Sequence, residues 1–288
     1  MSVLLYFSIL VAVLLSLAVV FILRKRRFVG TIRKLPLGVA FIACTGWLAA
    51  LFIYDRMPRG ALIAFEELRR PVGTAKAIVL IHGWTGEQPV WNALMSLLVA
   101  DVRFAEYGIV SLSYDSRGLF ERATTLEKAA QALASHLVRN LPDHQLYILA
   151  HSTGGIIGRM LVLDLASRKG GPQAERLVTI ATPHAGTDLA RTAGYLGVTQ
   201  MMLSQLRDNS AFLNELRGRW RVANTGPFTP EVCIASRADR VVSFASATAE
   251  CRNVEQLSAW GHEEMNQPTD RTDERYRVIA RALLNQIE

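Results

Sequence analysis

The chain has 288 residues and a formal net charge of +7, and half of its residues are apolar. That is enough for one sizeable α/β domain plus an appendage, with more apolar content than a wholly soluble chain needs. A pI near 9.6 raises nucleic acid as a partner, but residues 1–54 contain no Asp or Glu and carry Arg24, Lys25, Arg26, Arg27, Arg33 and Lys34. Those cations account for nearly all of the excess. The remainder of the chain is close to neutral, which excludes nucleic acid as its partner.

Residues 3–23 (VLLYFSILVAVLLSLAVVFIL) carry no charge over a length that crosses a bilayer. No basic residue precedes this run and no small-x-small cleavage site follows it, which argues against a cleavable signal peptide. It ends in Arg24-Lys25-Arg26-Arg27, a stop-transfer flank. A second uncharged run, residues 35–54, includes Gly38, Gly46 and Trp47 and ends at Tyr54, all tolerated or favoured in membrane helices. Residues 1–57 therefore read as a membrane anchor, two transmembrane helices (3–23 and 35–54) joined by a basic loop, with a globular domain over 58–288. The positive-inside rule puts the loop in the cytoplasm and the domain outside, in the periplasm of a cell whose inner membrane holds the hairpin. If only the first run spans, the same rule puts the domain inside.

From about residue 60 the pattern changes to short apolar runs alternating with amphipathic stretches. Strands are expected at Ala77–Ile81, Ile109–Tyr114, Leu146–Ala150, Leu177–Ala181, Val232–Ala235 and Val254–Leu257, each short and apolar enough to be buried on both faces. Helices are expected at Thr125–Asn140, Ile156–Leu165 and Thr272–Ile287. This alternation predicts an α/β fold with a mostly parallel sheet and helices on both faces. Residues 187–230 break the rhythm. They hold TQMMLSQLRDNSAFLNEL, with Met201, Met202, Leu206 and Leu213, and no clear strand. Two readings fit that stretch: a small helical cap over a site, or ordinary amphipathic helices packed on the sheet.

The strongest chemical signal is YILAHSTGG, residues 147–155. A strand running through Ala150-His151-Ser152-Thr153-Gly154 into a helix is the sequence form of a nucleophile elbow, where the turn demands small residues two before and two after the serine. Ala150 departs from the usual glycine by one methyl. Upstream, AIVLIHGWTGE (residues 77–87) is a strand ending in His82-Gly83, whose loop would supply one oxyanion donor while the residue after the serine supplies the other. The backbone N–H groups of Trp84 and Thr153 are assigned that role. His82 reads as a loop-orienting residue, because the base must follow the serine and acid in the chain. Asp239 lies just past the strand at 232–235, and His262 follows the last strand in SAWGHEEM. The order Ser152, Asp239, His262 is that of a hydrolase triad; Asp115, Asp188 and Glu263 are weaker candidates for the acid. The histidines show no ligand spacing, so no metal is expected, and neither a P-loop nor a dinucleotide fingerprint is present. No cofactor is expected. Cys44 lies in an apolar run. Cys233 and Cys251 flank Asp239 and read either as a disulfide clamping the acid loop or as two unrelated buried thiols.

The AHSTGG elbow, the His82-Gly83 loop, TPHAGT (182–187), DNSAFL (208–213) and the late Asp and Gly-His pair resemble bacterial lipases and esterases of the α/β-hydrolase superfamily, and the related inositol-deacylase-like serine hydrolases. YDSRG (114–118) is more similar to general esterase and peptidase branches. The resemblance covers roughly residues 75–285 and implies an α/β-hydrolase fold. It further implies a substrate-binding region including Gly83, His151, His184, Met201, Met202 and Leu206, and a lid at 187–230. The expected function is a membrane-anchored serine hydrolase cleaving a carboxylic ester of a lipid or other apolar acyl group. The rival readings are an acyltransferase using the same acyl-enzyme, and a non-catalytic membrane scaffold.

Overall fold

A computed structural model describes residues 63–69, 75–83, 88–114, 125–188, 204–208, 210–223 and 230–286. The chain divides between Gly60 and Ala61, and every described residue belongs to the second part. The two apolar runs expected to span a membrane lie outside the described residues. Among the described residues, no helix is long and apolar enough to cross a bilayer.

Among the described residues, seven strands form one sheet in the order β1-β3-β2-β4-β5-β6-β7. They are β1 (Ile63–Arg69), β2 (Lys76–Ile81), β3 (Tyr107–Tyr114), β4 (Gln145–His151), β5 (Gln173–Ile180), β6 (Glu231–Ser236) and β7 (Asn253–Leu257). β2 to β7 run parallel, and β1 pairs antiparallel with β3 at one edge. β1 is an addition to the expected strands. Its sequence, IAFEELR, mixes three charges into the run, so it lacks the apolar block that marks the interior strands. At the opposite edge the expectation of burial on both faces fails for β7, where Asn253, Val254 and Gln256 are exposed. An edge strand has a neighbour on one side only.

The interior strands alternate strictly between two apolar layers. In β2, Ala77, Val79 and Ile81 join β4 residues Leu146, Ile148 and Ala150 in packing against α2 (Leu126–Asn140), α3 (Thr153–Ser167) and α4 (Ala211–Ala223). Ile78, Leu80 and Leu149 face the other layer, with α1 (Asn92–Ala100) and α6 (Glu274–Leu284); the short α5 (Phe244–Ala247) follows β6. A two-residue side-chain period between two helical layers lets neighbouring apolar residues both be buried. Helix α2 starts where expected: Thr125 Oγ1 accepts the Lys128 N–H, and Gln205 Oε1 accepts the Leu126 N–H. The described part of the stretch proposed as a cap behaves as an amphipathic flank. Leu206, Leu213, Leu216 and Trp220 are buried in the α2–α3 layer, while residues 189–203 and 224–229 lie outside the described residues.

The strand order positions the site. From β2 the chain steps to β3 on one side, then crosses back to β4 on the other, so the direction of winding reverses between β2 and β4. In an open parallel sheet, the crevice beyond the carboxyl ends of strands at such a reversal is where ligands bind. His82-Gly83 leaves β2 there, and Ser152 leaves β4 there.

A buried polar tie fastens α6 to the body of the domain. The Tyr276 hydroxyl donates to Asp101 Oδ2 at 2.8 Å, and the Arg103 guanidinium pairs with the same carboxylate. The Arg103 hydrogen bonds hold the Asp101 carboxyl well below the usual carboxylate range. Tyr276→Phe should cost about 1–2 kcal/mol, read as a lower urea midpoint at unchanged m-value. Because the folded state binds this proton more weakly than the unfolded chain, the Asp101 contribution is complete above the ordinary carboxylate pKa and is lost as pH falls below it.

Candidate active site

Ser152 sits at the junction of β4 and α3 with φ 53° and ψ −128°. This is a left-handed backbone that a non-glycine residue adopts only where its surroundings impose it, at a cost of about 1–3 kcal/mol. The imposing contacts are visible. The Ser152 N–H donates to the Ile180 carbonyl at 2.8 Å, and the Ser152 carbonyl accepts the Gly155 N–H at 2.9 Å. A Cβ on Gly154 would meet the Ile81 carbonyl at 2.6 Å and the His82 carbonyl closer still, while one on Gly83 would lie 2.8 Å from Ser152 Cβ. The two glycines let β2, β4 and α3 converge behind the serine. Ala150, the departure from the usual pattern, is fully buried in the α3 layer with room for its methyl.

The three residues singled out for a triad come together. Ser152 Oγ is 2.9 Å from His262 Nε2, and His262 Nδ1 is 2.8 Å from Asp239 Oδ2. All three are at most 9% exposed. The Ser152 side chain makes no helix-capping bond, which leaves Oγ to the histidine. Asp239 Oδ1 accepts the N–H groups of Val241 at 2.7 Å and Val242 at 3.0 Å. Burial pushes the Asp239 carboxyl pKa upward, but the His262 hydrogen bond and these backbone donors outweigh it and hold it below the ordinary range. The carboxylate form is thus the one present at neutral pH, with one oxygen committed to the backbone and the other to the imidazole.

Neighbours that sequence reading did not assign hold the acid and histidine loops. Ser236 ends β6, and its Oγ accepts both the Ala238 N–H and the Trp260 N–H, tying the Asp239 turn to the His262 loop. From α6, Glu274 accepts the Trp260 indole N–H at 2.9 Å, and the Arg275 guanidinium lies over the Trp260 ring and donates to the Glu264 carbonyl. Apart from the Ser236–Ala238 bond within one turn, these contacts have no local sequence signal, since each joins separate elements.

The other histidines have distinct places. His151 Nε2 donates to the His262 carbonyl at 2.9 Å. Burial, then the neighbouring His262, holds its pKa down to about 3, so it stays neutral and keeps that donor. His151 therefore braces the base from behind. His82 orients its loop: Nδ1 bonds the Gly83 carbonyl, Nε2 accepts the Tyr114 N–H, and its ring stacks on Tyr114 at 4.5 Å. His184 is not a pocket residue. It is fully buried, with Nε2 turned toward Thr179 Oγ1, Glu231 and Cys233, because the turn after β5 tucks it against β6. Leu206 likewise belongs to the apolar layer and lines no open surface. Gly83 lies against Ser152. Trp84, Met201, Met202 and Asp115 lie outside the described residues. Asp188 and Glu263 are exposed and do not take the acid position. Thr153 is the first residue of α3, so its N–H has no partner within the helix and stands beside the nucleophile. Cys233 and Cys251 are joined in a disulfide with a Cα separation of 6.2 Å.

This arrangement can deprotonate a hydroxyl, hold the imidazolium that results, and place the positive end of α3 beside a developing oxyanion. Asp239→Asn should preserve the fold and lower kcat by about 10⁴-fold. The Val241 and Val242 N–H groups will keep the amide oxygen, so the amide nitrogen faces His262 Nδ1 and forces the wrong tautomer; steady-state kinetics on any turned-over ester checks this.

A family model described as a domain of unknown function (DUF7379) matches residues 54–212. No curated protein sequence matches the chain. Among solved structures, it is similar to the mature lipase BlEst2 of Bacillus licheniformis, at 14% identity and TM-score 0.56 over 78% of this chain and 97% of that one. A carboxylesterase of the thaumarchaeon Nitrososphaera gargenis matches at 15% identity and TM-score 0.54, over 80% and 98%. The phospholipase PlaB of Legionella pneumophila matches at 16% identity and TM-score 0.58, over 74% of this chain and 60% of that one. At these identities the likeness establishes the fold, and these neighbours are ester-cleaving hydrolases.

Proposed function

The chain belongs to the DUF7379 family, and we propose that it is a serine hydrolase of the α/β-hydrolase superfamily, cleaving carboxylic esters through an acyl-Ser152 intermediate. The observation that carries this reading is the unbroken hydrogen-bond chain Ser152–His262–Asp239 at the reversal point of the sheet. In the proposed reaction His262 Nε2 takes the Ser152 proton as Oγ attacks the acyl carbonyl. The Thr153 N–H, with the Trp84 N–H from the loop after β2, receives the oxyanion. His262 then protonates the leaving alcohol, and a water deacylates the serine by the same path in reverse.

The substrate we propose is a lipid or other apolar acyl ester. Two features of the sequence support it: the uncharged runs at 3–23 and 35–54, which would keep the site beside a bilayer, and the Met- and Leu-rich stretch around Met201 and Met202. By the positive-inside argument, the domain faces the periplasm. Extraction of membranes at alkaline pH tests the anchor: the full chain should stay in the pellet, and a chain lacking residues 1–57 should be released.

Detergent-solubilised protein should hydrolyse p-nitrophenyl esters, with preference rising across acyl chains of about two to sixteen carbons if the pocket takes an apolar tail. Ser152→Ala should lower kcat by about 10⁶-fold and abolish labelling by a fluorophosphonate. Equal hydrolysis by the variant would overturn the assignment of the nucleophile.

A further inference from the structure

Away from the triad, one buried cluster carries chemistry that ester hydrolysis does not use. Arg159 on α3 and Glu231 at the start of β6 form a two-pronged ion pair at 2.8 and 2.9 Å, and both are almost fully buried. His184 lies against the pair from the turn after β5, and the Cys233–Cys251 disulfide closes the other side. One ligand atom from each of His184, Glu231, Cys233 and Cys251 lies within 4.8 Å of every other.

We propose that reduction of the Cys233–Cys251 disulfide converts this cluster into a four-ligand site for a soft divalent cation, Zn²⁺ being the best fit. Geometry is the first argument. His184 Nε2 is 3.7 Å from both Cys233 Sγ and Glu231 Oε1, matching the edge of roughly 3.3–3.8 Å in a tetrahedron with zinc-ligand bonds of about 2.0–2.3 Å. The sulfurs must move apart to a similar edge, and with the Cα atoms 6.2 Å apart rotation about the Cα–Cβ bonds achieves this. Thr179 Oγ1 lies 3.3 Å from His184 Nε2, and a cation would take the Nε2 lone pair in place of that hydrogen bond.

Charge is the second argument. The Arg159–Glu231 pair is neutral, so the disulfide form carries no net charge in a largely buried place. Two thiolates and one divalent cation add nothing to that balance. Donor type is the third: two thiolates, an imidazole and one carboxylate suit zinc and disfavour magnesium or calcium.

The conversion balances as follows. A thiolate of a dithiol reductant attacks Cys251 Sγ, the half-buried sulfur of the pair, and forms a mixed disulfide while Cys233 leaves and takes up a proton. The second thiol of the reductant displaces Cys251 and closes its own disulfide, so two electrons and two protons reach the protein. Arg159 Nη2, 3.5 Å from Cys251 Sγ, favours the thiolate there. Metal binding then expels both thiol protons.

The test uses the full chain in detergent, reduced anaerobically with a phosphine, with Co²⁺ as the spectroscopic probe. An equimolar uptake of cobalt should appear as thiolate-to-metal charge transfer with the intense visible bands of a tetrahedral site, and Zn²⁺ should displace it. The oxidised protein should show neither band. Cys251→Ser, at the half-buried position, should weaken cobalt binding by at least about 100-fold while far-UV circular dichroism stays unchanged. As a second measurement, Zn²⁺ should protect two of the three thiols of the reduced protein from a disulfide reagent, leaving Cys44. A folded, reduced protein that takes up no cobalt overturns the proposal. So does uptake undiminished in Cys251→Ser, and so does a reduced chain that unfolds and is not refolded by zinc.

Discussion

The constraint on which the site depends is the turn at Ser152. A strand cannot pass into a helix within one residue unless that residue accepts a left-handed backbone and its neighbours leave room. Ser152 does so at φ 53°, and Gly154 and Gly83 surrender their side chains so that β2, β4 and α3 can meet. The strain is offset by the hydrogen bonds on either side of the serine, to Ile180 and from Gly155. The result is a serine that projects from the sheet with its hydroxyl unused by the helix it begins.

Everything else at the site meets that fixed point. The acid and the base arrive on loops, which are the parts of a domain with the most freedom, yet each is braced by main-chain hydrogen bonds. Asp239 is pinned by two backbone donors in its own turn, His262 by His151 through its carbonyl, and the two loops to each other by Ser236. Helix α6 then carries the brace to the body of the domain. Its first turn holds Trp260 through Glu274 and Arg275, and its Tyr276 reaches Asp101 across the α1 layer. Preorganisation of this kind spares the reaction the cost of ordering its groups in the transition state.

The disulfide belongs to a second centre, one that secures the strands carrying the triad. Desolvating a charge costs several kcal/mol, and Arg159 offsets this with two bonds to Glu231, one to the Ala249 carbonyl and a stacking contact on Trp220. Glu231 and Cys233 begin β6, and Cys251 precedes β7. The ring closed between Cys233 and Cys251 therefore contains Asp239 and its turn. The polar cluster at one end of β6 and the Asp239 carboxylate at the other are linked through a single short strand.

The sequence by itself determined the interior strands, the elbow and the chain order of Ser152, Asp239 and His262, which the fold brings together. These are local or ordinal properties: an apolar run bounded by turn residues, small residues at set offsets from a serine, and chain order along a sheet whose strands all point one way. It also marked Gly83 and Thr153 as neighbours of the serine, since both follow strand ends. Only the tertiary structure decided which histidine serves which purpose, because His82, His151 and His184 all follow strand ends and differ in what the adjoining strands place beside them. His184 turned inward toward Glu231 and Cys233 for that reason. The edge strand β1 escaped notice because a strand with one neighbour needs no apolar block. The buried cluster of Arg159, His184, Glu231, Cys233 and Cys251 escaped notice too, because its side chains come from α3, the β5 turn, β6 and the approach to β7. Residues that far apart in sequence share a site only after parallel strands have been laid side by side.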